Sequence, residues 1–351
     1  MKEDWKQQID RLHADLVRRD DPVAWVNEAD AVKASSRYPH IAVRGALFGI
    51  ATQDAAQDDT QDSAQDSASG TEWRLQGPMA DGTPQQARDG LNSKLWFRAL
   101  EDTDDPAVRR ELLKAVAVLE REPVDELEVL GVRYRVVRAD EFARCGEDGL
   151  EPPRPTDTDP ADRSWTGRHN PPSRDTGHVL DPGRAEGIMA AALKLGLREF
   201  AYAGARYPAD VRKDSERAAR THPDIALLPV GFGIAERVGK AWRPHGSLMP
   251  TPHDARRLLH DALTDVWPRL YDLGAAEQAR YARAAERFRA AGRDDQLRVD
   301  DRLFRICRIE RLVRWGPDGP ERPRPSDQAH DYEPMKIHPT MDEDGTVHHD
   351  R

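Results

Sequence analysis

The apolar positions of this chain form a series of helix-period and strand-period segments that runs through in one order and then runs again. Asp21-Pro22 and Pro208 each place a proline in the first turn of a predicted helix. Strands are predicted next over Ile41–Ala51 and Ile225–Arg237, each followed by a second strand centred on Trp73 or on Trp242; Gly239 supplies a hairpin turn in the later pair. Thr83-Pro84 and Thr251-Pro252 then cap and start a helix. Leu91, Leu95 and Ala99 share one face of the first, with Trp96 beside them, as Leu259, Leu263 and Val266 share one face of the second. A further helix after Asp105-Pro106 carries Val108, Leu112, Val116 and Leu119, and its counterpart over 275–290 carries Tyr281, Ala285 and Phe288. Each series closes with a hairpin. Leu127 and Val129 precede a turn near Gly131 and a return arm bearing Tyr134, Val136 and Arg138; Leu297 and Val299 precede Phe304, Ile306 and Arg308. The pattern predicts an α+β fold: a tandem duplication of a unit with a mainly antiparallel sheet of two hairpins and helices packed on one face.

Residue identities support the duplication. Leu127–Asp157 and Leu297–Asp327 align without a gap at an offset of 170, with 13 of 31 positions identical. The identities include Arg135/Arg305, Arg138/Arg308, Gly146/Gly316, Gly149/Gly319 and the Pro-Arg-Pro at 153–155 and 323–325. Upstream, Phe48-Gly49-Ile50-Ala51 matches Phe232-Gly233-Ile234-Ala235 at an offset of 184. One insertion accounts for the change of offset: residues 53–70 repeat Gln-Asp in the first unit alone. Such a tract buries too little apolar area to offset its ordering entropy, and is expected to be a disordered acidic loop. The expected organisation is a helix over 1–19, marked by Trp5, Ile9, Leu12 and Leu16; a first unit over 20–157; a Pro/Asp/Arg/Ser-rich linker over 158–183; a second unit over 184–327, opened by a helix over 184–201; and a polar tail over 328–351 with a turn at Asp344-Gly345.

Composition narrows the classes. Charged residues make up 33% and hydrophobic residues 38%, polar for a globular protein but short of wholesale disorder. The net charge of −10 argues against a general nucleic-acid binder. Residues 201–330 hold 24 Arg/Lys against 19 Asp/Glu, so that stretch is +5 and the remainder −15. Nucleic-acid binding through the more basic second half would need Arg256, Arg257, Arg280 and Arg287 on one face. The two cysteines, Cys145 and Cys307, make neither a disulfide framework nor a zinc spacing, and the twelve histidines are scattered, so neither a metal nor a cofactor is expected. No long apolar run predicts a membrane span, and Met1–Leu16 lacks the apolar core of a secretory signal. The expected location is the cytoplasm.

The residues with most chemical promise are the duplicated Arg-x-x-Arg pairs, Arg135/Arg138 and Arg305/Arg308. Three residues apart on a strand, the members of a pair point to opposite faces, so a clamp for a carboxylate or phosphate would need one guanidinium from each unit. The plainer expectation is a structural ion pair for each. Trp73 and Trp242 could line a pocket, although an aromatic on a strand most often packs a core. GEDGLEPPRP and GPDGPERPRP combine a glycine turn with a stiff extension, expected as a rigid exit from the hairpin or, less simply, as a polyproline ligand. Gly231-Phe232-Gly233 lacks the rest of a nucleotide loop, Asp342–Gly345 lacks the flanks of a calcium loop, and no nucleophile elbow occurs.

The phrases ADAVKASSRYPHIAVRGALFGIA, GTPQQARDGLNSKLWFRAL, EREPVDELEVLGVRYRVVRADEFAR and GPDGPERPRPSD resemble a family of uncharacterised proteins of high-GC Gram-positive bacteria, known only as a domain of unknown function. The resemblance runs from about Asp20 to Asp327 and implies no activity, cofactor or catalytic residue. The sequence thus favours a cytoplasmic, non-enzymatic binding or interaction protein, its partner a protein or an anionic small molecule. An enzyme acting on an anionic small molecule at the interface between the units, and weak nucleic-acid binding by the second half, stand as alternatives.

Overall fold

A computed structural model describes residues 21–54, 72–160, 163–165, 171–184, 186–328 and 331–349. The helix expected over 1–19 lies outside them, as does most of the 53–70 tract. Its first two residues, Gln53 and Asp54, belong instead to a strand, opposite Arg133 and Val132.

In chain order the first half contains α1 (Pro22–Arg37), β1 (His40–Asp54), β2 (Arg74–Leu75), α2 (Pro84–Glu101), α3 (Pro106–Leu119), β3 (Glu126–Val129), β4 (Val132–Gly146) and β5 (Gly149–Leu150). The second contains α4 (Ile188–Arg198), α5 (Ala209–Thr221), β6 (Asp224–Leu227), β7 (Gly231–Val238), β8 (Ala241–Met249), α6 (Pro252–Asp261), a π turn (Ala262–Val266) leading into α7 (Trp267–Leu270), α8 (Ala275–Ala291), β9 (Gln296–Val299), β10 (Arg302–Gly316) and β11 (Gly319–Pro320). A short α9 (Pro325–Gln328) and the hairpin β12 (Thr340–Met341)–β13 (Val347–His348) follow. Gly345, at a φ of 93°, turns that hairpin at the predicted place.

The sheet differs from two separate four-stranded sheets. Eleven strands form one antiparallel sheet with a central order β2-β1-β4-β10-β7-β8. Its middle is the pairing of β4 with β10, where Glu141 lies opposite Arg311, flanked by Phe142 opposite Glu310 and Asp140 opposite Leu312. Since 141 and 311 are 170 apart, the register reads the same from either strand. The expected strand over 225–237 is broken into β6 and β7, because Pro229 has no N–H for a ladder bond; its carbonyl instead accepts from Arg311 Nη2 at 2.8 Å. Helix α4 is shorter than the 184–201 expected, beginning after Gly187 at a φ of 112°.

The strands alternate between two faces. Tyr134 packs with Leu91, Leu95, Leu112 and Leu119 of α2 and α3, while Phe304 and Ile306 pack with Leu259, Leu263, Ala285 and Phe288 of the second half. Leu197 of α4 reaches Phe142, Ile225 and Leu312 between these two cores. The opposite face carries Val137, Ala139 and Val313 in one cluster and Ala143, Cys307 and Ile309 in another, neither containing a helical residue. Helices therefore cover one face and leave the other to strands and loops.

Each half sends an arm across to the other. After the tight turn at 146–149, Glu151 accepts from the Arg308 backbone N–H of β10 at 2.9 Å; after the turn at 316–319, Glu321 accepts from Arg138 of β4 at 2.9 Å. Gly149 (φ 99°) and Gly319 (φ 103°) make the turns possible. A Cβ on Gly149 would stand 2.8 Å from the Trp242 ring, and one on Gly319 2.8 Å from the Trp73 ring.

Candidate functional site

The four arginines and two tryptophans singled out by sequence fall at these crossings. Arg135 stacks on Trp73 with its guanidinium carbon 4.7 Å from the ring centroid. It donates to Glu126 at 2.7 Å and to the carbonyls of Asp318 and Pro320 at 2.8 and 2.9 Å. Arg305 stacks on Trp242 at 5.1 Å and donates to the Leu150 carbonyl at 2.7 Å. Each thus grips the arm of the opposite half. Arg138, on the helix-covered face, meets Asp140 at 2.8 Å and Asp327 at 2.9 Å; Arg308 meets Glu310 and, at 3.4 Å, Asp157. No two of the four are brought together by a shared partner among the described residues.

The Arg138 cluster is closed. Asp140 is 2% exposed and accepts from the Tyr202 hydroxyl. Burial works against its ionised form, but Arg138 and Arg324 outweigh burial and hold the carboxyl below the usual range. A buried network paired in this way fixes geometry and gives a substrate no entry, although the Arg324 Nη1 within it is left without a hydrogen-bond partner among the described residues.

The open site lies on the helix-free face of the second half. A trough of about 570 Å³ crosses from β1 and the end of β4 to β10, β7 and β8. Its apolar surface comes from Ala143, Leu150, Ala235 and Ile309, with Trp242 and Leu248 from β8. Both cysteines line it as free thiols. Burial pushes Cys307 up to about 12 and raises Cys145 too, so both stay protonated near neutrality. Glu141, 3% exposed, pairs with Arg44 at 2.8 Å, and burial lifts its carboxyl above the usual carboxylate range against the pull of Arg44 and Arg311.

The rim is cationic. Arg206, Arg237 and Lys240 are exposed and have no acidic partner among the described residues, whereas Asp148 is paired with Arg37 at 2.8 Å. Glu147 is a rim acid without a cationic partner among the described residues. Sequence reasoning found Trp242 but missed this set, whose members are scattered from residue 42 to residue 309 and meet through sheet pairing alone.

The surface proposed for nucleic acid does not form from the four arginines named for it. Arg256 is buried against Asp295 at 2.7 Å, Arg257 is 6% exposed, and Arg280 pairs with Asp300 at 3.1 Å. Among the described residues no group of three or more His, Cys, Asp or Glu side chains could hold a metal ion, and no helix is long and apolar enough to cross a membrane.

A family model described as a family of unknown function (DUF5954) matches residues 21–330. No curated protein and no solved structure matches the chain.

Proposed function

We propose that this chain, which belongs to the DUF5954 family of unknown function, is a cytoplasmic, non-enzymatic binding protein that receives its ligand in the trough between β1, β4, β10, β7 and β8. The carrying observation is the combination there of an apolar floor and three exposed cations without acidic partners among the described residues. An apolar concavity with a few charged groups at its mouth orients a ligand by charge and holds it by burial. Thiols kept protonated by their surroundings support holding over nucleophilic chemistry. Two free cysteines accord with a reducing compartment.

The same proposal takes the scaffold as a tandem duplication, with units at 20–157 and 184–327. Its support is the set of contacts repeated 170 residues apart. Val136 and Ile306 donate to the carbonyls of Asp125 and Asp295, and Arg324 and Arg154 reach Glu321 and Glu151.

Titration with 8-anilinonaphthalene-1-sulfonate, an anionic aromatic dye, tests the site. Saturable one-site binding is expected, abolished in Leu248→Arg and kept in Leu248→Met; equal binding by Leu248→Arg would overturn the assignment. One observation favours an enzymatic reading, the buried Glu141 carboxyl beside Arg44 in the same trough. A labelled metabolite extract separates the two. Retained compounds recovered unchanged support binding, and products that vanish in Glu141→Gln support catalysis.

A further inference from the structure

The helix-free face has a second trough, formed by the corresponding residues of the other half, and it is already full. Trp73 and Leu75 stand where Trp242 and Pro244 stand across the molecule; Met79 corresponds to Leu248, and Val137 and Ala139 to Cys307 and Ile309. What fills it is the segment joining the halves. That segment runs antiparallel to β2, with Val179 opposite Arg74. Gly177 and Leu180 donate to the carbonyls of Leu75 and Trp73 at 2.8 and 2.9 Å, and the Leu180 side chain, 2% exposed, joins the apolar cluster. Asp175 pins the segment by a two-pronged bond to Arg311 at 2.6 and 2.8 Å.

The open trough has no such cover among the described residues. The stretch that follows the second half turns away to the helices of the first: the Pro339 carbonyl accepts from Trp96, and the Glu343 carbonyl accepts from Arg109. The open trough is also the roomier by sequence, with Ala143 and Cys145 where the filled one has Val313 and Trp315. Its β8 edge retains the carbonyls of Trp242 and Pro244, the positions at which the filled trough accepts N–H groups. Pro244 cannot donate, so the edge accepts a strand that donates to it and resists indiscriminate pairing.

We propose that the open trough docks an extended acidic peptide segment of a partner protein, antiparallel to β8, with one large aliphatic residue seated against Trp242 and Leu248. This rests on the binding reading above and adds the ligand class. The extended form follows from the occupant of the corresponding trough, and the aliphatic anchor from Leu180. The acidity follows from Arg206, Arg237 and Lys240 against Glu147, the one rim acid unpaired among the described residues.

The test uses the full chain and a fluorescein-labelled peptide with the sequence of residues 173–181 in which the arginine and the histidine are both replaced by glutamate. Fluorescence anisotropy is expected to show saturable binding that weakens with salt. Affinity should fall about tenfold or more when the peptide's leucine becomes serine, or when its acids become amides. Arg237→Glu with Lys240→Glu should weaken binding similarly at unchanged thermal stability, since both residues are exposed. Cys145→Trp, which places in the open trough the residue found in the filled one, should abolish it. The inference is overturned if the acidic peptide does not bind, or if it binds equally to the double charge variant. It is overturned too if an oligothymidylate or self-association of the chain displaces the peptide from the trough with equal affinity. Dye binding that is lost in Leu248→Arg, without peptide binding, would leave the binding reading standing and remove this one.

Discussion

The two troughs of the helix-free face differ less in their walls than in what closes them. In the first half, Leu180 and Asp175 seal an apolar floor, leaving Met79 1% and Leu75 0% exposed. In the second, Leu248 is half-buried and Pro244 is exposed, although the floor beneath them, Ala143, Ala235, Cys307 and Ile309, is buried. A sheet face without helices must otherwise be covered by chain, and this molecule spends its linker on one half only. Under the proposed binding role, the difference separates closure for stability in one trough from access in the other.

Substitutions test whether the two troughs differ in closure. Asp175→Ala should have the largest effect, because it strands the Arg311 guanidinium, 5% exposed, without its carboxylate; a loss of about 3–5 kcal/mol in urea unfolding is expected. Met79→Ala should cost about 2–4 kcal/mol and the corresponding Leu248→Ala about 1 kcal/mol. Equal losses would mean that the second trough is closed in solution. Gly149→Ala and Gly319→Ala should each cost about 1–3 kcal/mol, and by similar amounts, since both lie at a φ near 100° against a tryptophan. A wide split between them would show that the arms are unequal.

The smallest expected effect is a pH dependence confined to the filled trough. Burial, followed by the charge of Arg184, lowers the pKa of His178 from its ordinary 6.5. The docked linker therefore binds fewer protons than the released one. Its docking is complete above about pH 6.5 and weakens as pH falls through the lowered value. Hydrogen-exchange protection of the Gly177 and Leu180 amides, taken relative to the intrinsic rate at each pH, should fall over that range. Amides of β4, which belong to the sheet and not to the linker, should keep their protection, and a parallel loss there would locate the effect in the sheet.

Much of the scaffold was legible from periodicity. The Thr-Pro helix starts appear as written, with Thr83 and Thr251 oxygens accepting from Gln86 and Asp254 backbone N–H groups. The hairpins at β3–β4 and β9–β10 and the opposite facing of Arg135 and Arg138 were also readable, because they depend on neighbours in sequence. The fusion into one sheet was not. Pairing of Glu141 with Arg311 is a contact over 170 residues, and strand patterns do not record which strand lies alongside. The same limit hid the candidate site. Arg44, Ala143, Trp242 and Ile309 share a trough only after the sheet has formed, and the linker's role as a cover depends on Leu180 and Asp175 reaching residues their own neighbourhood does not announce.

The crossed arms have a consequence for how the chain can be divided. Residues 149–157 finish a surface belonging mostly to the C-terminal half, and residues 319–327 finish one belonging to the N-terminal half. Either portion alone would therefore lack the arm that finishes its surface and carry one that finishes the other's, which makes it complementary to its missing counterpart. Two polypeptides separated by a cut near residue 165 should find each other and reassemble, whereas either expressed singly should seek a second molecule of itself.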